Sequence, residues 1–219
     1  MALQNELADF LAEFERTAPA GRVALYKAKI EELRRSFPLH RVPAVGDTAA
    51  DFTLPDANGL CITLSDVLRD GPAVVTFYRG NWCPYCNIQL RAYQRSLSEI
   101  KETGARLVAI SPQRPDKSQL TAESNALEFD VLSDIGNAVA RAYGLVYALP
   151  QELRDALQSA GKALPDFNGD DSWELPVPAT FVIAPHRKVM LSFAEVDYRK
   201  RLAPEDIVGS LLRADLASI

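Results

Sequence analysis

Cysteine and histidine are scarce: the 219 residues hold three of the first and two of the second. Three cysteines are too few to staple a small secreted scaffold. Cys61, His40 and His186 are isolated and lack the paired spacing that would complete a four-ligand zinc site around a cysteine pair. Long apolar runs are missing too, and none approaches the ~18 residues of a membrane span. The N-terminal residues bring Glu6 and Asp9 where a secretory signal brings basic residues and an unbroken apolar stretch. No segment clusters Lys and Arg with aromatics, and the net charge is −5, which argues against a nucleic-acid partner. Internal repeats and low-complexity tracts are also absent. These absences lead to the expectation of a soluble, cytoplasmic protein with no metal or other cofactor.

What is present is an ordinary globular composition, 47% hydrophobic and 24% charged, enough for one domain with additions. Residues 1–44 read as a helical extension. Leu3, Leu7, Leu11 and Phe14 recur at near-helical spacing, and after Gly21 so do Val23, Tyr26, Ile30, Leu33 and Phe37. Their apolar stripes either dock on the main domain or join two copies in a homodimer. From Val45 strands and helices alternate, as in an α/β domain with a mostly parallel sheet. Residues 51–54 and 60–63 flank a turn composition and predict a hairpin, with Cys61 a small packed side chain. Residues 73–78 suit a buried central strand. The helix after it places Cys86, Leu90, Tyr93, Leu97 and Ile100 on one face and runs to Gly104. A strand at 106–110, a helix at 117–126, a strand near Val131 and a helix at 137–143 follow. Residues of about 149–176 interrupt this rhythm with a helix at 151–160 and a loop rich in Gly, Asp, Asn and Pro, an insertion within a domain spanning 45–219. A hairpin at 180–183 and 188–196 and a helix at 204–216 close the chain.

The chemistry concentrates where the central strand meets its helix, in Arg79-Gly80-Asn81-Trp82-Cys83-Pro84-Tyr85-Cys86. A helix N-terminus leaves N–H groups unpaired and carries partial positive charge, so a thiol there ionises readily, and the thiolate is the attacking species. Pro84 has no N–H to waste in the first turn, and Arg79 adds a fixed positive charge nearby. Two intervening residues let both sulfurs meet across one turn, facing solvent, and cycle between dithiol and disulfide. A second element is Val177-Pro178 leading into the strand 180–183. It reads as a cis peptide set against the dithiol, offering a backbone edge to an extended substrate. Trp82, Tyr85, Arg79, Pro84, Val177 and Pro178 are the expected substrate-positioning residues around Cys83 and Cys86.

Residues 74–90, 104–112 and 178–183 together resemble the peroxiredoxin-like branch of the alkyl hydroperoxide reductase and thiol-specific antioxidant superfamily, a likeness that extends over about 45–216. The resemblance implies a thioredoxin-like fold with a central mixed sheet flanked by helices. It puts the peroxidatic cysteine at Cys86, with helical partner positions at Gln89 and Leu90. The family's Thr three residues before that cysteine is here Cys83, its Pro seven before is Arg79, and its Arg before the final central strand falls on Pro178. Cys83-Pro84-Tyr85-Cys86 is similar instead to the glutaredoxin dithiol, and Trp82-Cys83 to thioredoxin. Two activities are implied. In a thiol-dependent hydroperoxide reductase, Cys86 becomes a sulfenic acid, condenses with Cys83, and an external thiol such as thioredoxin or glutathione reduces the disulfide. In a disulfide oxidoreductase acting on protein or glutathione disulfides, Cys83 attacks first. A non-enzymatic binding module would not need the complete dithiol.

Overall fold

The computed structural model describes residues 2–216; the last three residues of the expected 45–219 domain lie outside the described ones. Two helices, α1 (Leu3–Thr17) and α2 (Arg22–Ser36), lead to the hairpin β1 (Thr53–Pro55) and β2 (Cys61–Thr63). Then come α3 (Leu64–Asp70), β3 (Ala73–Phe77), α4 (Pro84–Arg95), α5 (Leu97–Glu102) and β4 (Arg106–Ser111). After them follow α6 (Pro115–Ser124), β5 (Asp130–Ser133) and α7 (Ala138–Ala142). A side unit holds β6 (Val146–Ala148), α8 (Gln151–Gln158), α9 (Leu164–Asn168) and β7 (Glu174–Pro176). The chain ends through β8 (Ala179–Ile183), β9 (Val189–Ala194) and α10 (Pro204–Leu216).

The central sheet has the order β5-β4-β3-β8-β9. β3 runs parallel to β4, and β4 to β5, while β3/β8 and β8/β9 are antiparallel. The sheet is therefore mixed, as the family resemblance implies, where the alternation of strands and helices alone suggested a mostly parallel one. Strands buried on both faces are apolar whichever way they run, so pattern carries no direction. Alternation along β3 sends Val74 to one core and Ala73, Val75 and Phe77 to the other. The first core includes α4, and the second holds the β1/β2 hairpin, α3 and Tyr143. Each fully buried large apolar side chain contributes about 1.5–3 kcal/mol to this arrangement.

Three local expectations change. The helix expected to reach Gly104 breaks at Ser96, whose φ of −99° and ψ of 10° separate α4 from α5. Cys61 is exposed, facing away from the core that its neighbour Ile62 enters, because the alternation of the hairpin puts Leu54 and Ile62 inside. The loop expected in the insertion is partly regular: β6 pairs with β7, Leu149 N–H bonds to Trp173 O, and Leu164 and Leu175 are fully buried.

Of the two uses of the N-terminal stripes, docking is the one observed. Leu3 and Leu7 are buried in the α4 core, Phe10 meets the Tyr85 ring edge-on at 5.0 Å, and Glu6 pairs with Arg95. α2 lies on the side unit, with Arg22 Nη1 donating to Ala156 O at 2.8 Å and Lys29 paired with Glu152.

Candidate active site

The loop from β3 into α4 is locked before it reaches the cysteines. Gly80 has φ of +145°, and a Cβ there would lie 2.5 Å from Trp82 Nε1, so only glycine fits. Asn81 and Gln113 clamp each other: Asn81 N–H donates to Gln113 Oε1 and Gln113 Nε2 to Asn81 Oδ1, both at 2.9 Å. Asn87 Nδ2 donates to Asn81 O at 2.7 Å, tying the loop to α4. Cys83 then stands at the N-cap with extended backbone and Pro84 in the first turn. Cys86 N–H returns to Cys83 O at 3.0 Å, which fixes both sulfurs at the positive end of α4.

Around the sulfurs the charges are all of one sign. Arg79 N–H approaches Cys86 Sγ at 3.5 Å, Arg201 Nη2 donates to it at 3.3 Å, and Arg79 Nη1 lies 3.8 Å from Cys83 Sγ. The Arg79 guanidinium sits between two aromatic rings, 4.8 Å from Trp82 and 4.1 Å from Tyr198. Arg79 and Arg201 are both buried, and among the described residues neither pairs with a carboxylate. A buried cation without a partner is costly, so the compensating anion is sulfur. Burial opposes ionisation of Cys86, but the hydrogen bond from the Cys83 thiol, Arg201 and Arg79 outweigh it and hold Cys86 well below the ordinary thiol value. Burial and the adjacent Cys86 push Cys83 well above it. The pair thus shares one proton, kept on Cys83.

Arg201 is the residue the sequence reading missed. It is 115 positions from Cys86, in the segment between β9 and α10, and no motif spacing marks it. Its placement is nonetheless built. Tyr93 Oη donates to Leu202 O at 3.1 Å, Gln4 Nε2 donates to Arg201 O at 2.9 Å, and the Arg201 guanidinium also donates to Tyr198 O. Gln89, expected as a helical partner of Cys86, belongs to this support. It donates to Tyr93 Oη at 2.9 Å, within a buried network that includes Thr76 and Thr180. Leu90 is fully buried in the core.

Arg79, Trp82, Cys83, Pro84, Tyr85 and Cys86 come together as expected, but Val177 and Pro178 behave differently. No peptide among the described residues is cis, so the expected cis Val177–Pro178 bond is corrected to trans. The extended chain lets Val177 N–H bond to Leu145 O at 2.8 Å and Pro178 O accept from Glu195 N–H at 3.2 Å. The Val177 N–H and the Pro178 carbonyl are therefore already used and are closed to a peptide. The sulfurs are not on the outer surface either: Cys83 is 1% exposed and Cys86 0%. Cys83 instead lines a cavity of about 520 Å³ whose walls include Phe10, Tyr26, Trp82, Leu153 and Tyr198, while Cys86 is not among its lining residues. Among the described residues no group of three His, Cys, Asp or Glu is placed to hold a metal, and no helix is long and apolar enough to cross a membrane.

Comparison with known proteins places this geometry. Residues 45–192 match the AhpC/TSA family. A curated relative named as a peroxiredoxin in Mycobacterium tuberculosis is 35% identical over 99 residues, which are 45% of this chain and 62% of the relative. The chloroplastic peroxiredoxin Q of Sedum lineare is 31% identical over 144 residues, 66% of this chain and 74% of the relative. The crystal structure of peroxidoxin BcpB from Mycobacterium tuberculosis superposes with a TM-score of 0.61 at 27% identity, covering 77% of this chain and 96% of that one. The match to the first of these relatives thus spans under two thirds of its length. The fold is thioredoxin-like, and α1 and α2 lie outside the family match.

Proposed function

Because the chain belongs to the AhpC/TSA family, we propose that it is a thiol-dependent hydroperoxide reductase cycling between the Cys83–Cys86 dithiol and disulfide. The observation that carries this is the Cys86 sulfur, 3.3 Å from Arg201 Nη2 and 3.5 Å from the Arg79 N–H, a setting that lowers its thiol well below the ordinary value. Cys86 S⁻ attacks the terminal oxygen of the hydroperoxide. The O–O bond breaks, the alkoxide or hydroxide leaves and takes a proton, and Cys86 becomes a sulfenic acid. Arg201 and the Arg79 N–H face the reacting centre and stabilise charge developing on oxygen. Cys83, deprotonated as the sulfenic oxygen leaves as water, closes the disulfide. An external thiol then reduces it, in a compartment reducing enough to keep the pair as thiols, the cytoplasm being the default. All these groups come from one chain, so a homodimer is not required for chemistry.

Thiol–disulfide exchange is the second reading, favoured by one observation: Cys83, not Cys86, lines the cavity. Against protein disulfides as its substrates stands the Val177–Pro178 edge, already hydrogen-bonded on both sides.

Stopped-flow oxidation of the reduced protein by hydrogen peroxide tests the proposal. Oxidation far faster than that of a free thiol is expected, ending in one Cys83–Cys86 disulfide by mass spectrometry. Cys86→Ser abolishes that first step, and Cys83→Ser leaves it but halts at sulfenic acid. A rate no faster than a free thiol refutes the peroxidase. Since Cys86 does not line the cavity, hydrogen peroxide should oxidise it faster than a bulky hydroperoxide does.

A further inference from the structure

The cavity opens on the sulfur that the peroxide-reducing half of the cycle does not use. Its walls are aromatic and aliphatic, with Phe10 and Phe14 from α1, Tyr26 from α2, and Leu153 and Leu157 from α8. Its charged lining residues are Arg79 beside Cys83, together with Arg22, Lys162 and the pair Lys29 and Glu32, Lys29 being bonded also to Glu152. The cover is tied down by the Phe14–Tyr26 stack at 5.8 Å and by Arg22 on Ala156 O. A volume near 520 Å³ suits a small molecule. A partner protein would have to displace α1 or α2 before its own thiol met Cys83, which is 1% exposed.

We propose that this cavity is the reductant site, and that the molecule it admits is a small dithiol with an apolar body rather than a protein dithiol. The inference rests on the disulfide cycle proposed above and names the partner of its second half. The first thiolate of the reductant attacks Cys83 Sγ, forming a mixed disulfide. The Cys83–Cys86 bond breaks, and Cys86 leaves as the thiolate that Arg201 faces at 3.3 Å. A thiol of lower pKa is the better leaving group, so the site directs attack to Cys83 twice, by access and by electronics. The second thiolate of the same molecule then attacks its own mixed-disulfide sulfur, releasing Cys83, which takes a proton. The dithiol leaves as a cyclic disulfide, and two electrons have passed to the protein. A second thiol in the same molecule spares the cavity from admitting another one.

The test starts from the full chain oxidised to its disulfide with diamide, so it does not depend on peroxide chemistry. Its reduction is followed with dihydrolipoamide, glutathione and reduced thioredoxin as separate probes. Dihydrolipoamide should react at least about tenfold faster than either of the others, the margin expected when only one reaches the buried sulfur. An equal or faster rate with thioredoxin or glutathione overturns the inference. Leu153→Trp in α8 and Leu33→Trp in α2, both lining the cavity, should each slow dihydrolipoamide. Wild-type rates in both would also overturn it. Failure of the peroxidase reading looks different: the reduced chain then simply does not react with hydroperoxide, whatever reduces its disulfide.

Discussion

The sheet with its β3–α4 junction and the cover made by α1, α2 and α8 differ in how they are built. The junction is held by directed bonds, from the two-way Asn81–Gln113 clamp to the Tyr93–Leu202 link that carries Arg201. The cover rests mainly on apolar contact and ion pairs such as Lys29–Glu152, with few directed bonds such as that from Arg22 to Ala156 O. Hydrogen bonds fix direction, whereas apolar packing fixes only proximity. The difference teaches that reactivity and access are specified by largely different bonds: the junction, with one bond from Gln4 of α1, decides which sulfur is ionised, and the cover decides what meets it. Changes in the junction should therefore move pH profiles, and changes in the cover should move selectivity among thiols.

The largest effect that would sharpen this contrast is Arg201→Met. Losing the nearest guanidinium should carry the Cys86 thiol back towards its ordinary value of about 8.5, slowing peroxide oxidation at neutral pH by roughly 10–100-fold and restoring part of the rate as pH rises. A stopped-flow pH series reads it, and a pH-independent loss would mean that Arg201 acts in another way. Next is Gly80→Ala, where a left-handed φ and the Trp82 indole both oppose a Cβ. A cost of about 1–3 kcal/mol is expected in urea unfolding. Phe10→Ala in the cover should cost about 1–3 kcal/mol through lost aromatic packing on Tyr85 while leaving the pH profile in place. If instead it shifts the apparent pKa of Cys86, the two regions are not separable.

A smaller effect concerns stability against pH. The Cys86 thiol is depressed in the fold, so its ionisation stabilises the reduced protein fully above about pH 8.5, and that contribution is lost as pH falls through the folded value. Cys83, raised in the fold, has the opposite sign: its contribution is present below that pH and declines above it. The urea midpoint of the reduced protein, compared with that of Cys86→Ala, should diverge in favour of the wild type between pH 6 and 8. A constant difference would refute the thiolate assignment. Last, Cys61→Ser should change neither rate nor midpoint, since that thiol is exposed and unpartnered.

Much of this architecture was legible because it is local. An apolar β-branched run, a proline in a first helical turn and a four-residue dithiol announce β3 and α4 by composition alone. The trans geometry at Pro178, the antiparallel return of β8 and the outward turn of Cys61 were not legible. Proline permits both isomers, buried strands look alike in either direction, and a three-residue strand sets its inward phase by pairing rather than by pattern. Arg201 was illegible for a different reason. An arginine's role depends on what it faces, and here that is decided by a tyrosine on α4 and a glutamine on α1.

That dependence has a consequence for biosynthesis. Gln4 and Arg201 are 197 positions apart, and the bond from the Gln4 side chain to the Arg201 carbonyl holds the segment that carries the guanidinium. During translation the dithiol is made 115 residues before Arg201, so a nascent protein carries two cysteines without the arginine that sharpens one of them. Ribosome-bound chains stopped before residue 201 should therefore show a Cys86 thiol less acidic than that of the finished protein when titrated with an alkylating reagent. The oxidant-sensitive state arises only once synthesis has passed that point.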